Sequence, residues 1–232
     1  MLPAATVKKL VETWAIMIEM VVLIHIKLYL TQVTEKPSFT TILQEHGSIQ
    51  VLKSRDTNVL AFCEDKVFKV LANKDALYNA DGSVNLIASN RVLGNVTAFS
   101  GEYGISSNPE SLAVDGYRMY FADKQRNKVL RLSQDGLTPI SDIGMTSWFR
   151  DNLNHGRNVN KQELVGTFDE VKGEYNLSLR HLATNGDTNI GSADITVSFN
   201  ERSKGWSSFK SFVPEVGLSI NDEYITGKVA RL

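Results

Sequence analysis

From Glu45 onward the chain is a succession of short apolar runs that alternate with polar residues, broken by turn-forming pairs. The breaks fall at His46-Gly47, Asp81-Gly82, Leu93-Gly94-Asn95, Asp115-Gly116, Asp135-Gly136, Asn185-Gly186 and Lys204-Gly205. Period-2 alternation between such breaks predicts strands. They fall at Ser48 to Lys53, Asn58 to Phe62, Lys66 to Leu71, Leu112 to Val114, Arg118 to Ala122, Lys128 to Leu132 and Thr138 to Ile140. Further strands follow at Leu164 to Asp169, Tyr175 to His181, Ile195 to Asn200, Ser208 to Phe212 and Gly217 to Ile220. One helical island, Thr146 to Leu153, carries Trp148 and Phe149. Gly101 to Pro109 and Leu153 to Gln162 read as surface loops. The fold class is all-β: stacked antiparallel hairpins, partly propeller-like, with that one short helix.

A repeat supports this architecture. The segment Asn58 to Asp75 matches Tyr117 to Gly136: an apolar strand, an acidic turn with a lysine, a second strand and a polar turn. The copies are spaced by about 58 residues, somewhat above a propeller blade. Asp169 to Tyr175 reads as a third turn of this kind, and Asn200 to Gly205 as a fourth, between Ile195–Phe199 and Trp206–Phe212. Each hairpin is too small to bury its own apolar face, so stacking must supply the core.

Residues 1–45 differ in character. Val7 to Met20 places Leu10, Val11, Trp14 and Ile18 on one helical face, and Ile24 to Leu30 alternates like a strand. Glu19, His25 and Lys27 interrupt the apolar run Trp14 to Leu30, so no membrane span is expected. The domain reading is an atypical segment over 1–45, propeller-like repeats over 46–145 and further hairpins over 146–232. The last part is expected to be truncated, and the first is expected to come from an altered gene start.

Composition narrows the chemistry. A net charge of −1 carries no global field for nucleic acid, and the run Lys124, Arg126, Lys128, Arg131 reads as a solvated strand face. The single Cys63 rules out an intramolecular disulfide and reads as a buried, inert thiol. None of His25, His46, His155 and His181 stands at metal-ligand spacing. Carboxylates gather at Glu64-Asp65, Asp123, Asp169-Glu170 and Asp222-Glu223, where tip acids satisfy local backbone donors. The aromatics, from Phe62 to Phe212, read as core. No catalytic, cofactor-binding or metal residue is expected. Trp206, with Lys124 and Arg126, is the candidate contact surface.

Several phrases carry a family resemblance. Met119 to Gly136 is similar to the repeat of NHL-type β-propellers. Glu64 to Leu71, Gly101 to Ser111, Tyr120 to Lys124, Leu130 to Gly136, Trp148 to Leu153 and Gly205 to Phe212 resemble large virion structural proteins of tailed bacteriophages. The likeness covers roughly residues 47 to 225; known members are much longer than this chain. It implies a non-enzymatic, tail-associated component of the particle, made in the host cytoplasm and located in the virion. Its expected partners are other virion or tail proteins and further copies of itself, with neither nucleic acid nor membrane. Two alternatives remain open. One is a propeller lactonase or hydrolase using Glu110, Asn108 and Asp142 around a cation. The other is a tail-tip module that binds a host surface glycan through Trp206 and nearby tyrosines.

Overall fold

Alternating apolar residues pair into three consecutive four-stranded meanders and a closing hairpin. The computed structural model describes residues 45–56, 58–78, 84–153, 161–182 and 194–228. The chain divides into two compact units, Met1–Glu45 and His46–Leu232. The expected helix over Val7 to Met20 and strand over Ile24 to Leu30 lie outside the described residues. Sheet 1 is β1 (Ile49–Arg55), β2 (Asn58–Cys63), β3 (Val67–Tyr78) and β4 (Val84–Ala98), in that order. Sheet 2 is β5 (Ala113–Asp115), β6 (Arg118–Asp123), β7 (Lys128–Ser133) and β8 (Gly136–Pro139). Helix α1 (Thr146–Leu153) leads to sheet 3: β9 (Lys161–Asp169), β10 (Glu174–Leu182), β11 (Ile195–Asn200) and β12 (Gly205–Lys210). The hairpin of β13 (Val216–Ile220) and β14 (Glu223–Gly227) follows. All pairings are antiparallel, and the fold is all-β and partly propeller-like, with no closed propeller or barrel among the described residues.

Sheet 2 is the middle layer, and its register shows why its strands read as nearly continuous apolar runs. Met119 pairs with Leu132 and Phe121 with Leu130, so these four share one face. That face packs with Leu60, Phe62, Val67 and Ile105, forming the core with sheet 1. Phe62 meets Phe121 edge-on at 5.2 Å. Tyr120 and Ala122 point the other way, with Val129, into a second core with Phe168, Tyr175, Leu177, Val197 and Phe199 of sheet 3. Tyr120 stacks between Phe168 at 5.6 Å and Tyr175 at 5.1 Å. A strand buried on both faces has no polar side to show. Each such aromatic contributes about 1.5–3 kcal/mol of burial.

Three of the four repeated turns share one geometry; the Glu64-Asp65 turn is tighter, with Cys63 N–H donating to the Lys66 carbonyl. Asp123 pairs with Lys128, Asp169 with Glu174 and Asn200 with Gly205. In each, the last loop residue is left-handed: Asn127 (φ 54°), Gly173 (φ 64°) and Lys204 (φ 50°). In each, the first side chain accepts the N–H three residues on, from Arg126, Lys172 or Ser203. The acid or amide at the tip therefore closes its own turn.

The repeat does not propagate as a simple translation. Lys124, in the β6–β7 turn, donates to the Gln162 carbonyl near the start of β9, whereas Tyr120 packs against Phe168 near its end. Six residues of β9 span about 20 Å. The β9–β10 and β11–β12 turns thus lie at the opposite end from the β6–β7 turn.

Four local expectations are corrected. β4 runs through Leu93-Gly94-Asn95, which forms an irregularity opposite Val70–Ala72 rather than a turn. β3 and β4 also continue pairing beyond Leu71, the last residue of β3 paired to β2, as far as Tyr78 and Val84. The Gly101 to Pro109 loop is not superficial: Ile105, Ser106 and Asn108 are buried. Finally, Tyr117 and Phe209 are exposed rather than core.

Candidate functional site

The loop between sheets 1 and 2 tolerates burial because the N–H groups of Gly104, Ile105 and Ser106 find acceptors on the two sheets. Ile105 N–H and Ser106 N–H donate to the carbonyls of Cys63 and Glu64, at 3.0 and 2.9 Å. This extends the end of sheet 1 by a short bridge. Gly104 sits so close that a Cβ there would lie 2.1 Å from the Glu64 carbonyl oxygen. Only glycine allows that approach.

Asp123 is the centre of this junction. Its carboxylate is fully buried and has four donors. Oδ1 accepts from Ser106 Oγ at 3.0 Å and Arg126 N at 3.1 Å. Oδ2 accepts from Gly104 N and Arg126 Nη1, both at 3.1 Å. Ser106 Oγ also accepts from Gln125 N, and Ser106 itself holds φ 52°. A non-glycine residue in that region costs on the order of 1–3 kcal/mol and persists only when its surroundings fix it.

Arg126 carries the junction across. Its Nη2 reaches Asp65 of the β2–β3 turn at 3.1 Å. Burial lowers the guanidinium's affinity for its proton, but Asp123 and Asp65 outweigh that, and the net shift is upward. Lys124 is partly buried, and burial holds its ammonium below the ordinary lysine range. Lys128 pairs with Asp142, and Arg131 with Glu201 at 2.6 Å. The basic run Lys124–Arg131 is therefore not a solvated face. Arg126 and Arg131 are ties between sheets, and Lys128 ties β7 to the short turn after β8.

A second junction joins sheets 2 and 3. Glu201, the first residue of the β11–β12 turn, accepts from Tyr120 Oη at 2.8 Å and pairs with Arg131 and with Arg118 at 3.3 Å. Tyr175 Oη donates to the Ser111 carbonyl at 2.8 Å, and Ser111 Oγ accepts from Ala122 N. Burial pushes both tyrosine hydroxyls well above the ordinary range, and for Tyr120 the Glu201 carboxylate adds to this.

Lys124 and Arg126 share one turn; Trp206 lies on β12, in a different part of the fold. Trp206 is half-buried, 4.6 Å from Phe149 and 5.4 Å from Phe199, and its indole N–H donates to the Ile140 carbonyl at 2.9 Å. It fastens α1 and the end of β8 to sheet 3. Cys63 is buried, and burial, then the Glu64 charge, pushes its thiol up to about 11. Of the residues weighed for a cation, Asp142 pairs with Lys128, Asn108 is buried in the linking loop and Glu110 is exposed. Among the described residues no three His, Cys, Asp or Glu side chains converge on a metal position. No described helix is long and apolar enough to cross a membrane.

Sequence reasoning missed Asp65, Gly104, Ser106 and Glu201 as junction residues. Nothing in their local pattern marks partners that lie 17 to 81 positions away in the chain. The Asn221-Asp222 turn was visible in principle: both residues are left-handed (φ 50° and 61°), as a two-residue hairpin turn requires.

No curated protein matches the chain. A family model described as "Crassvirus muzzle protein" matches residues 38–228, which covers the described unit from its first strand to its last. That span exceeds four-fifths of the chain. The chain therefore belongs to the crassvirus muzzle protein family and is a phage virion protein.

Proposed function

We propose that the protein is a non-enzymatic, tail-associated structural component of the particle that acts through contacts between subunits. The observation that carries this reading is the family match over residues 38–228. The use of charged side chains as ties supports it: Arg126, Arg131 and Glu201 hold three sheets in one stack, as a load-carrying part of a particle requires. Its partners are other virion proteins and further copies of itself, and it has no role in nucleic-acid binding. Trp206, Lys124 and Arg126 contribute to the contact surface through the parts of their side chains that remain accessible. In domain terms, residues 1–45 form a segment apart, 46–145 carry NHL-like, propeller-type repeats and 146–232 carry further hairpins.

The test is mass spectrometry of purified virions, followed by separation of tails from capsids after mild disruption. Peptides from residues 55–221 recovered in the tail fraction support the reading. Recovery in capsids alone overturns the tail assignment. Absence from particles, with the protein present in infected cells, overturns the structural role.

A further inference from the structure

The β13–β14 hairpin rests on a largely polar sheet face. In sheet 3, Tyr175, Leu177 and Leu179 turn toward the core, and the alternate residues of β10 share the other face with their partners on β9 and β11. There Asn176 lies between Thr167 and Ser198, with Ser178 beside Thr196, and all five are at most 4 % exposed. Ser198 Oγ donates to Asn176 Oδ1, and the hydroxyls of Ser178 and Thr196 are 2.8 Å apart. The hairpin meets this face with its own polar side, which carries Gly217, Ser219 and Tyr224. Ser219 Oγ donates to the Phe168 carbonyl and accepts from Glu170 N, both at 3.1 Å. Tyr224 Oη and Thr167 Oγ1 are 2.6 Å apart, and Glu215 pairs with Arg180. The other side, with Val216, Leu218, Ile220 and Ile225, is 44–50 % exposed, so the polar side alone holds the hairpin in place. Among the described residues no backbone–backbone hydrogen bond joins the hairpin to sheet 3, and it forms a separate two-stranded sheet. An isolated two-stranded hairpin is marginal in water, so this one needs the sheet-3 face.

The approach to the hairpin has little slack. β12 ends at Lys210, opposite Thr196, and β13 begins at Val216, with Gly217 against Thr167 of β9. Residues 211–215 therefore cross from one edge of sheet 3 to the other, three strand spacings or about 14–15 Å. The six residue steps from Lys210 to Val216 reach about 20 Å at full extension. Val213 precedes Pro214, which disfavours a helical bend at that point. We propose that the hairpin is an exchangeable arm: it docks on the polar face of sheet 3 of a second copy of the chain, in place of that copy's own hairpin, with residues 211–215 as the hinge. The site selects its occupant. The surface fitted to this face is the hairpin itself, and only another copy brings the same Glu215, Ser219 and Tyr224 to Arg180, Phe168, Glu170 and Thr167. A short hinge favours exchange, because the arm runs on to its neighbour instead of turning back across the sheet. Detachment uncovers mostly hydroxyls and amides, which water satisfies until the second copy arrives. Exchange in both directions closes a two-fold dimer in which every contact forms twice. This deepens the subunit-contact reading given above and rests on it.

The experiment is sedimentation velocity on the full chain at about 5 and about 500 µM, below and near the millimolar effective concentration of a short tether. Wild type should be monomeric at the lower concentration and yield a dimer fraction when refolded from urea at the higher one. Removing Ser211, Phe212 and Val213 leaves three residue steps, about 10–11 Å, too short for the crossing. That chain cannot place its arm on its own sheet and should be dimeric already at about 5 µM, roughly a hundredfold below the concentration wild type needs. Phe212→Ala loses the ring contact with Tyr224 without shortening the hinge, and should behave as wild type. A second measurement holds even if the shortened chain fails to fold. A Cβ on Gly217 would lie 3.2 Å from Thr167 Cβ, close enough for a disulfide. Gly217→Cys chains refolded together with Thr167→Cys chains at about 500 µM should give a covalent dimer of the two on oxidation. The double variant refolded at about 5 µM should instead close its disulfide within one chain. A shortened chain that folds as a monomer at both concentrations, or a mixture that forms no disulfide between chains, overturns the proposal. Those outcomes concern the arm alone; absence of the protein from virions would instead remove the structural role.

Discussion

Replacing Asp123 with alanine isolates what the junction between sheets 1 and 2 contributes. The carboxylate is fully buried, and its loss leaves the N–H groups of Gly104 and Arg126 without acceptors. A buried donor deprived of its partner costs about 1–3 kcal/mol. Ser106 Oγ loses its acceptor too, while the left-handed backbone at Ser106 loses a tether. The Arg126–Asp123 ion pair is discounted, because about a third of the arginine side chain is exposed and Asp65 remains beside it; such a pair is worth about 0–1 kcal/mol. The sum is about 3–6 kcal/mol, a large share of the ~5–15 kcal/mol that holds a domain folded. Asp169 is the internal control. It opens an equivalent turn and is nearly as buried, but its carboxylate accepts from Lys172 within that turn. Asp169→Ala should cost about 1–2 kcal/mol, as for a lost cap. The assay is urea unfolding followed by tryptophan fluorescence, at slopes of about 1–3 kcal/mol/M. Asp123→Ala should lower the midpoint beyond Asp169→Ala by about 0.3–5 M at such slopes, a gap of more than about 1 kcal/mol. If the two variants unfold within about 1 kcal/mol of each other, Asp123 only closes its own turn and the cross-sheet argument is wrong.

Four further outcomes follow from the same contacts. Gly104→Ala should yield little folded protein, because its Cβ would meet backbone atoms of Glu64 and Asp65 at 2.1–2.5 Å; near-normal yield and melting would refute the close approach. Trp206→Phe keeps a ring but loses the bond to Ile140, and should cost about 1 kcal/mol, whereas Trp206→Ala should cost about 3–5 kcal/mol. Calorimetry distinguishes these losses from the negligible effect expected of a free surface tryptophan. Burial raises the Glu174 carboxyl, but Lys210, Ser207 and Asn200 outweigh it, so its folded value lies below 4.5. A depressed carboxylate stabilises fully above its unfolded value and loses that contribution as pH falls through the folded one. Wild type should therefore lose stability below about pH 4.5 more steeply than Lys210→Met, and parallel profiles would refute the pairing. Cys63, with its thiol pushed up to about 11, should resist iodoacetamide at pH 8 until denaturant is added; rapid labelling of native protein would contradict its burial.

The strand pattern was legible where one face or both faces of a hairpin are apolar. β2, β6, β7, β10 and β11 fall where alternation and turn residues put them, and Thr146 to Leu153 is helical throughout. The misses have physical causes. β4 contains Gly94 and lies opposite a shifted register, so it carries no clean two-residue period. The Gly101 to Pro109 loop has the composition of an exposed segment, but its N–H groups are satisfied by Cys63, Glu64 and Asp123, which allows burial. The basic run was misread because charge along a strand does not reveal that an acid lies across from it.

By itself, the sequence determined the class of fold, the repeating turn with its acid or amide at the first position, and the aromatic supply of the two cores. These depend on neighbours a few residues apart, and local periodicity records them. Only the tertiary structure decided that sheet 2 is the buried middle layer, that the β9–β10 and β11–β12 turns lie at the opposite end, and that Asp123, Arg126 and Glu201 join sheets. It also decided that the last hairpin turns its polar face inward. Such outcomes depend on which sheet stacks on which, and that follows from the shape and hydrogen-bond demand of whole surfaces rather than from any short stretch of chain.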